Sequence, residues 1–523
     1  MRLPLICSVL ALSLHAYSWT HPGLLVTDSD IARIQAKLTA EKEPWVSSWA
    51  YFESLSFSSS SYSPNAVSDI DRSTNGDVLW HDAAAAFNLA LRWHVTQEEE
   101  YAKAASAILK AWGNTLTTFS GGDDRYLSAG LQGYELANAA ELLRDYAPFV
   151  QDGWDAFVNM AVNVILPLNF RFLNHEEGSE HNVLHFFANW ELAQVASIQA
   201  ISVLTENQTA WDFAIDYFKN GDGNGAIGNA ISNLVDEPET GTLLGQGQES
   251  GRDQGHSAMD QQLLAAIGQQ AWNQGEDFFA LNDSLILRGA EYFGRYNLGH
   301  DVPFEPYTNG IVSYTDISSA SRGATRPTWE LLYAHYVQIK GLEAPWTKAY
   351  LNNTLEYFGG YEKGIGYGEG SGHYDGVGWG TLLYRLEESD LEDLKQGVTT
   401  TSQVLASSSP VPSTSAVIPS PSVTATSGTT PSGSPTANSS TDSIVSTTAI
   451  VSTTAIVSTT TIVSTTAIVP TTAIVSTTAI VSTTTIVSTT TSTITEAETT
   501  KPTLGHGHGH GYHTNHAVGH CNA

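Results

Sequence analysis

Ten stretches between residues 28 and 360 repeat apolar residues at helical spacing, and no alternating run between them competes as a strand. They open with DSDIARIQAKL and continue through LWHDAAAAFNLALRWHV, YAKAASAILKAWGNTL, GYELANAAELLRDY and WDAFVNMAVNVILPLNF. After HNVLHFFANWELAQVASIQAISVL come SAMDQQLLAAIGQQAWNQ, DSLILRGAEYFGRYNLG, TWELLYAHYVQIKGL and PWTKAYLNNTLEYFGG. Ala and Leu dominate these windows, and Gly, Asn, Asp and Pro punctuate between them. A single four-helix bundle would leave most of the segments without a partner. The pattern predicts an all-α fold, an (α/α) toroid in the form of an incomplete barrel of about six to seven helical hairpins, with helix ends and loops around one groove.

The flanks read differently. MRLPLICSVLALSLHAYS has one Arg, an apolar run and small residues, which predicts a signal peptide over residues 1–18 with cleavage after Ser18. No later apolar run is expected to cross a bilayer, so the mature chain is expected to be secreted and soluble. Of the two cysteines, Cys7 leaves with the signal and Cys521 stands alone, so a large apolar core over residues 19–395 must hold the fold without an intrachain disulfide. Sequons at Asn207, Asn282, Asn352 and Asn438 fit an export route. Residues 396–503 are rich in Ser, Thr and Pro, with Ile recurring every six residues from 444 to 486, and read as an O-glycosylated, disordered stalk. Residues 504–523 form a Gly/His-rich tail.

Charge narrows the partners. Residues 19–395 hold 21 Lys and Arg against 51 Asp and Glu, a balance of −30. This excludes nucleic acid and anionic membranes as expected partners. An acidic substrate would need a locally positive groove, with screening limiting the long-range repulsion to about 10 Å at ordinary salt.

Three polar motifs stand out. In SEHNVLHFFANW, His181, His185 and Asn189 would lie along one face if the segment is helical, beside Asn182 and among Val183, Leu184, Phe186 and Phe187. HNVLH is one residue from the zinc-binding H-E-x-x-H, but Asn182 replaces the Glu that serves as general base, so no metal and no other cofactor is expected. Histidines satisfied in a helix interface are the plainer alternative to a ligand groove. In GQGQESGRDQGHS, Arg252 and His256 stand four apart beside Glu249. Arg offers a bidentate hold on a carboxylate, and His titrates near working pH. A surface turn with an ion pair through Asp253 is the competing reading. In AEYFGRYNLGHDVPFEPY, Tyr292, Arg295 and Tyr296 share a helix and Tyr307 follows in a loop.

Asn, Arg, His and Tyr without a metal or an obligatory acidic pair suit β-elimination at a uronic acid. Removing the C5 proton builds charge on the adjacent carboxylate, which Asn or Arg stabilises. His or Tyr takes the proton, and a Tyr protonates the leaving O4. The segments NW at 189–190, ESGRDQGHS at 249–257, YNLGHDVPFEPY at 296–307, RPTWELLYAHY and GWGTLLY resemble the alginate lyase-like polysaccharide lyases, most nearly the secreted, fungal-type members of lyase family 38 that act on glucuronan or alginate. The resemblance covers most of residues 19–395. It implies the toroid, an acidic polysaccharide as partner, Asn189 as neutraliser, Arg252 and His256 in the groove, and Tyr296 as acid/base with Tyr292 and Tyr307 as alternatives. Trp190 follows Asn189 where the alginate lyases place a catalytic His, so the base falls to His256. His181, His185, Trp190, Glu249, Tyr292, Arg295 and Tyr307 are the expected substrate contacts. A monomer is expected, with cell-wall association through the tail. A glycoside hydrolase on the same toroid, using two of Glu135, Glu249 and Asp253, and a non-catalytic carbohydrate-binding protein are the alternatives.

Overall fold

The computed structural model describes residues 18–176 and 182–391, together with four two-residue strands between Val451 and Ala479. A first compact unit runs to Pro412 and a second covers Ser413–Ala523. In the second, Val451–Ser452 pairs antiparallel with Ser464–Thr465, and Thr461–Ile462 with Thr478–Ala479. The signal segment, the domain end placed at 395 and the Gly/His tail otherwise lie outside the described residues.

The first unit begins with α1 (Asp28–Thr39), α2 (Trp45–Ser54), α3 (Arg72–Thr96), α4 (Glu99–Thr115) and α5 (Asp124–Leu142). It continues with α6 (Ala147–Asp152), α7 (Trp154–Met160), α8 (Leu166–Leu173), α9 (Ala188–Thr205), α10 (Gln208–Asn220) and α11 (Ile227–Ala230). Then follow α12 (Gln254–Asn273), α13 (Leu281–Asn297), α14 (Trp329–Tyr333), α15 (Pro345–Phe358) and α16 (Gly380–Leu383). Side chains start several of them. Thr27 and Asp30 form a capping box on α1, and Asp71, Asn207 and Asp253 cap α3, α10 and α12.

Helices α3, α5, α9 and α12 are the inner staves and run parallel. The strands before α3 and α5, Asp69–Ile70 (β1) and Thr118–Phe119 (β2), pair in parallel, and at the far ends His94 Nε2 meets the Leu142 carbonyl. Gln194 and Ser197 of α9 reach the carbonyls of Tyr126 and Ala129 of α5, in the same order along both chains. Asn189 meets Glu249 at the near end, and Gln270 meets Ala196 and Gln199 further along. Small residues allow the staves to approach. A Cβ at Gly133 would sit 2.3 Å from Ser197 Oγ, and one at Gly130 2.7 Å from Gln194 Nε2. Because these helices are covered on all sides, their polar residues find protein partners: Asn138 donates to Gln270 (2.9 Å), Gln270 to Gln199 (3.1 Å), and Gln194 accepts from Asn169 of α8 (2.6 Å).

Three sequence expectations are corrected. The helix expected to carry His181, His185 and Asn189 begins only at Ala188. Residues 182–187 are turn and bend, so His185 and Asn189 do not share a helical face; His181 lies outside the described residues. A β-hairpin of Ile231–Asp236 (β3) and Leu243–Gly247 (β4) precedes the Arg252 motif. Finally, the continuous helical run Trp154–Leu173 is long and apolar enough by length and composition to cross a membrane. Phe157, Met160, Ile165, Leu166, Phe172 and Leu173 of that run are buried in the core of the domain, which accounts for its apolarity.

Candidate active site

The start of α9 has no side-chain cap of its own, because Phe187 precedes it. Its first amides are served from the turn that follows β4. Ala188 N–H donates to Gln248 Oε1 (2.9 Å) and Asn189 N–H to Glu249 Oε1 (3.0 Å). The helix end that carries Asn189 is thereby locked to the residues before α12. Glu249 is completely buried, and its second oxygen accepts from Arg252 Nη1 at 2.8 Å. Arg252 also lies over the Phe187 ring, 4.0 Å from its centroid. Asp260, one helix level deeper, is buried too. Burial and the Glu249 charge push its carboxyl well above the usual range, so it faces Glu249 as a neutral acid. The Asn189 side-chain amide is buried, and both its nitrogen and its oxygen lack a hydrogen-bond partner among the described residues.

Asp253 performs two tasks. Its Oδ1 caps α12 by accepting His256 N–H (2.9 Å), and its Oδ2 lies 2.5 Å from His256 Nδ1. Burial alone would raise the Asp253 carboxyl, but the bonds from His256 and the charges of His256 and Arg252 outweigh it and hold the group below its ordinary range. The carboxylate therefore orients the imidazole through Nδ1 and leaves Nε2 directed away from it. The ion pair through Asp253 that the sequence offered as an alternative is present at 3.8 Å, secondary to the Arg252–Glu249 pair.

The wall opposite is a short hairpin, Tyr307–Thr308 (β5) and Ser313–Tyr314 (β6), in which Tyr307 and Tyr314 are direct cross-strand partners. Tyr307 donates to Asn224 Oδ1 at 3.4 Å. Tyr314 lies against Gly251, where a Cβ would come within 2.5 Å of its own. Burial raises both hydroxyls; Arg252 opposes the shift at Tyr314, while Glu249 and Asp253 add to it. Both stay protonated at neutral pH. Asn224 and Asn309 hold the Leu184 carbonyl, and Asn224 also holds that of Phe186, fixing the loop before α9. His185 packs edge-on against Phe186 (4.6 Å), and Trp190 stacks on Phe186 and Phe172.

Asn189, Trp190, Glu249, Arg252, His256 and Tyr307 are thus gathered at one end of the ring, with His185 on the adjoining loop. The α13 trio has partners of its own, on a helix whose end adjoins the start of α12 through the Asn297–Gln254 bond (2.9 Å). Tyr292 donates to the Pro303 carbonyl (2.9 Å), and Arg295 is buried between Glu237 (2.7 Å), Glu239 (2.5 Å) and the Trp346 ring. Tyr296 is 5% exposed, with the Arg322 guanidinium 3.9 Å over its ring. No described contact joins these three to Arg252 or His256. Sequence reasoning missed Gln248, Asn224, Asp260 and Tyr314. The Asn309-Gly310 turn between two short Tyr-bearing runs was the available signal for Tyr314. Among the described residues no group of three or more His, Cys, Asp or Glu side chains could hold a metal ion.

Among curated proteins none matches the sequence. The fold is similar to alginate lyase A1-III from Sphingomonas species A1, at 12% identity over 71% of this chain and 98% of that one, with a TM-score of 0.47. Two variants of alginate lyase A1-III complexed with tetrasaccharide are similar at 14% and 12% identity, over 72% and 70% of this chain and 98% and 96% of theirs, with TM-scores of 0.47 and 0.45. The family model described as alginate lyase matches residues 60–302. That span contains α3, α5, α9 and α12 with Asn189, Glu249, Arg252 and His256.

Proposed function

We propose that this protein is a secreted lyase that cleaves a 1,4-linked polyuronate, glucuronan or alginate, by β-elimination and leaves a C4–C5 unsaturated uronate end. The observation that carries the reading is the buried Asn189 amide without a partner, set beside Arg252 and fixed through the Glu249 bridge. Such donors stabilise the charge that grows on the uronate carboxylate when C5 loses its proton. His256 Nε2 takes that proton, with Asp253 orienting the ring and stabilising the imidazolium that forms. Tyr314, held protonated beside Arg252, donates its hydroxyl proton to the departing O4, and Tyr307 positions the sugar from the neighbouring strand. Of the three carboxylates offered for a hydrolase, Glu249 is engaged with Arg252 and the α9 amide, Asp253 with His256, and Glu135 is completely buried.

Secretion is part of the proposal. The Trp19 ring packs edge-on against Trp211 at 5.8 Å and Thr20 N–H donates to Gln274, which supports a mature chain that starts at about Trp19. The test incubates the protein with glucuronan, polymannuronate, polyguluronate and a neutral glucan and follows ultraviolet absorbance. Unsaturated product from a polyuronate and none from the glucan is the expected result. Reducing ends without the double bond would mean hydrolysis and overturn the proposal.

A further inference from the structure

Residues 364–380, GIGYGEGSGHYDGVGWG, place glycine at nearly every second position, and the elimination uses none of them. Two of these glycines answer to close packing. A Cβ at Gly376 would lie 2.3 Å from Gln262 of α12, and one at Gly364 2.3 Å from the Trp379 ring. Gly370 has φ +90° and open space around it. The loop presses into the ring and carries Tyr367, His373, Tyr374 and Asp375 with it.

Asp375 ties the loop to the inner helices. Its carboxylate accepts from Arg72 Nη2 (3.3 Å) and Arg326 Nη1 (3.0 Å), and its carbonyl accepts the Tyr134 hydroxyl (3.2 Å). Glu135 beside it is completely buried, and burial and the Asp375 charge hold it protonated. Two guanidinium groups therefore face the Asp375 carboxylate, and Glu369 stands near Tyr374, in a chain of net charge −31. Over this base the His81 ring lies 4.8 Å from Tyr374, and Trp80 stacks on Tyr374 at 6.3 Å. His81 and Trp80 are half-buried, whereas α3 is buried from Asp82 to Leu91. Asp77 and Asp82 of α3 also face His81, and Asp82 is already engaged by Tyr62 and Trp112. No described residue hydrogen-bonds the His81 ring or the hydroxyls of Tyr367 and Tyr374. Arg72 is the first residue of α3, so this ledge sits at the same end of the parallel ring as Asn189 and Arg252.

We propose that Trp80, His81, Tyr367 and Tyr374 form a second subsite for a uronate residue of the acidic polysaccharide, away from the bond that is cut. The inference rests on the lyase reading above. The half-buried rings of Trp80 and His81 receive the apolar C–H face of a sugar, His81 and the two hydroxyls bond its oxygens, and the Arg72 and Arg326 guanidinium groups attract its carboxylate.

The experiment measures initial rates of His81→Ala and Tyr374→Phe in the full chain, on the polymer and on the shortest oligomer that is cleaved, after melting curves confirm folding. The expected result is a polymer KM raised roughly 3- to 10-fold, kcat within about 2-fold, and an unchanged KM for the short oligomer. His81→Gln, which keeps a donor, recovers part of the polymer KM. An unchanged polymer KM in both folded variants overturns the subsite and leaves the lyase reading standing. If the wild type cleaves no polyuronate, migration through gels cast with glucuronan or a neutral glucan reads the subsite alone. Retardation by glucuronan that His81→Ala loses supports it, and no retardation of the wild type overturns it.

Discussion

Tyr314 and Tyr296 make a clean comparison, because each Tyr→Phe change removes one oxygen and little volume. Tyr314 neighbours Arg252, Glu249 and Asp253, while the Tyr296 ring lies under Arg322. Tyr314→Phe is expected to lower kcat by about 10²-fold or more with a much smaller change in KM, and Tyr296→Phe to stay near wild type. The reverse pattern in steady-state rates would place the acid on α13. Asn189→Ala is expected to lose roughly 10²- to 10³-fold in kcat, the scale of one lost oxyanion donor. Because the Asn189 amide makes no hydrogen bond to the protein, its loss should cost little stability. A melting temperature close to wild type together with the lost turnover checks both halves of that statement.

At the scale of the element, the inner helices were legible because burial on all sides demands small and apolar residues along their whole length, and the windows around Ala83–Ala86 and Ala188–Ala200 show this directly. The start of α9 was not legible. Its cap comes from Gln248 and Glu249, sixty residues downstream, and no local pattern near Phe187 announces it. Arg252 and His256 could be found by spelling, but what they bind could not. Glu249 rather than Asp253 is the main partner of Arg252, a fact of tertiary packing. Helix approach gives a matched test. Gly133→Ala puts a methyl 2.3 Å from Ser197 Oγ and 2.9 Å from Ile165 Cγ2, whereas Gly122→Ala meets nothing within 4 Å. In urea unfolding, Gly133→Ala is expected to lose about 1–3 kcal/mol and Gly122→Ala to lie within about 0.5 kcal/mol of wild type. Equal stability of the two would mean that α5 and α9 have room to spare.

For the whole molecule, buried acids set the response to pH. Burial raises Glu191 to about 7, against hydrogen bonds from Tyr217 and Gly225, and burial with the Glu330 charge raises Glu362 to about 8. Glu135 and Asp260 are raised as well. A carboxyl with a raised folded pKa binds protons more readily folded than unfolded. Its contribution is full below about 4.5 and is lost as pH climbs through 7 to 8, on the order of 3 kcal/mol for Glu191. His335 acts in the opposite sense. Burial holds it neutral with a pKa of about 3, so its contribution is lost as pH falls from about 6.5. The melting temperature is therefore expected to peak in mildly acidic buffer and to fall between about pH 6 and pH 8. Glu191→Gln, which keeps an acceptor for Tyr217, should flatten that fall. A melting temperature that rises toward pH 8 would contradict the assignment.

The parallel run of α3, α5, α9 and α12 has a consequence that side-chain charge does not reveal. Each α-helix carries a partial charge of about +0.5 at its first turn and about −0.5 at its last. Four staves pointing the same way place their positive first turns at the end that holds Asn189, Arg252 and Arg72, while α4, α10 and α13 return antiparallel and bring their negative last turns to the same end. The dipoles therefore act locally, within the first turn of each stave, on a molecule that is strongly acidic overall. A polyanion approaching so acidic a molecule would meet those first turns, with Arg72 and Arg252 beside them, at the end that holds Asn189.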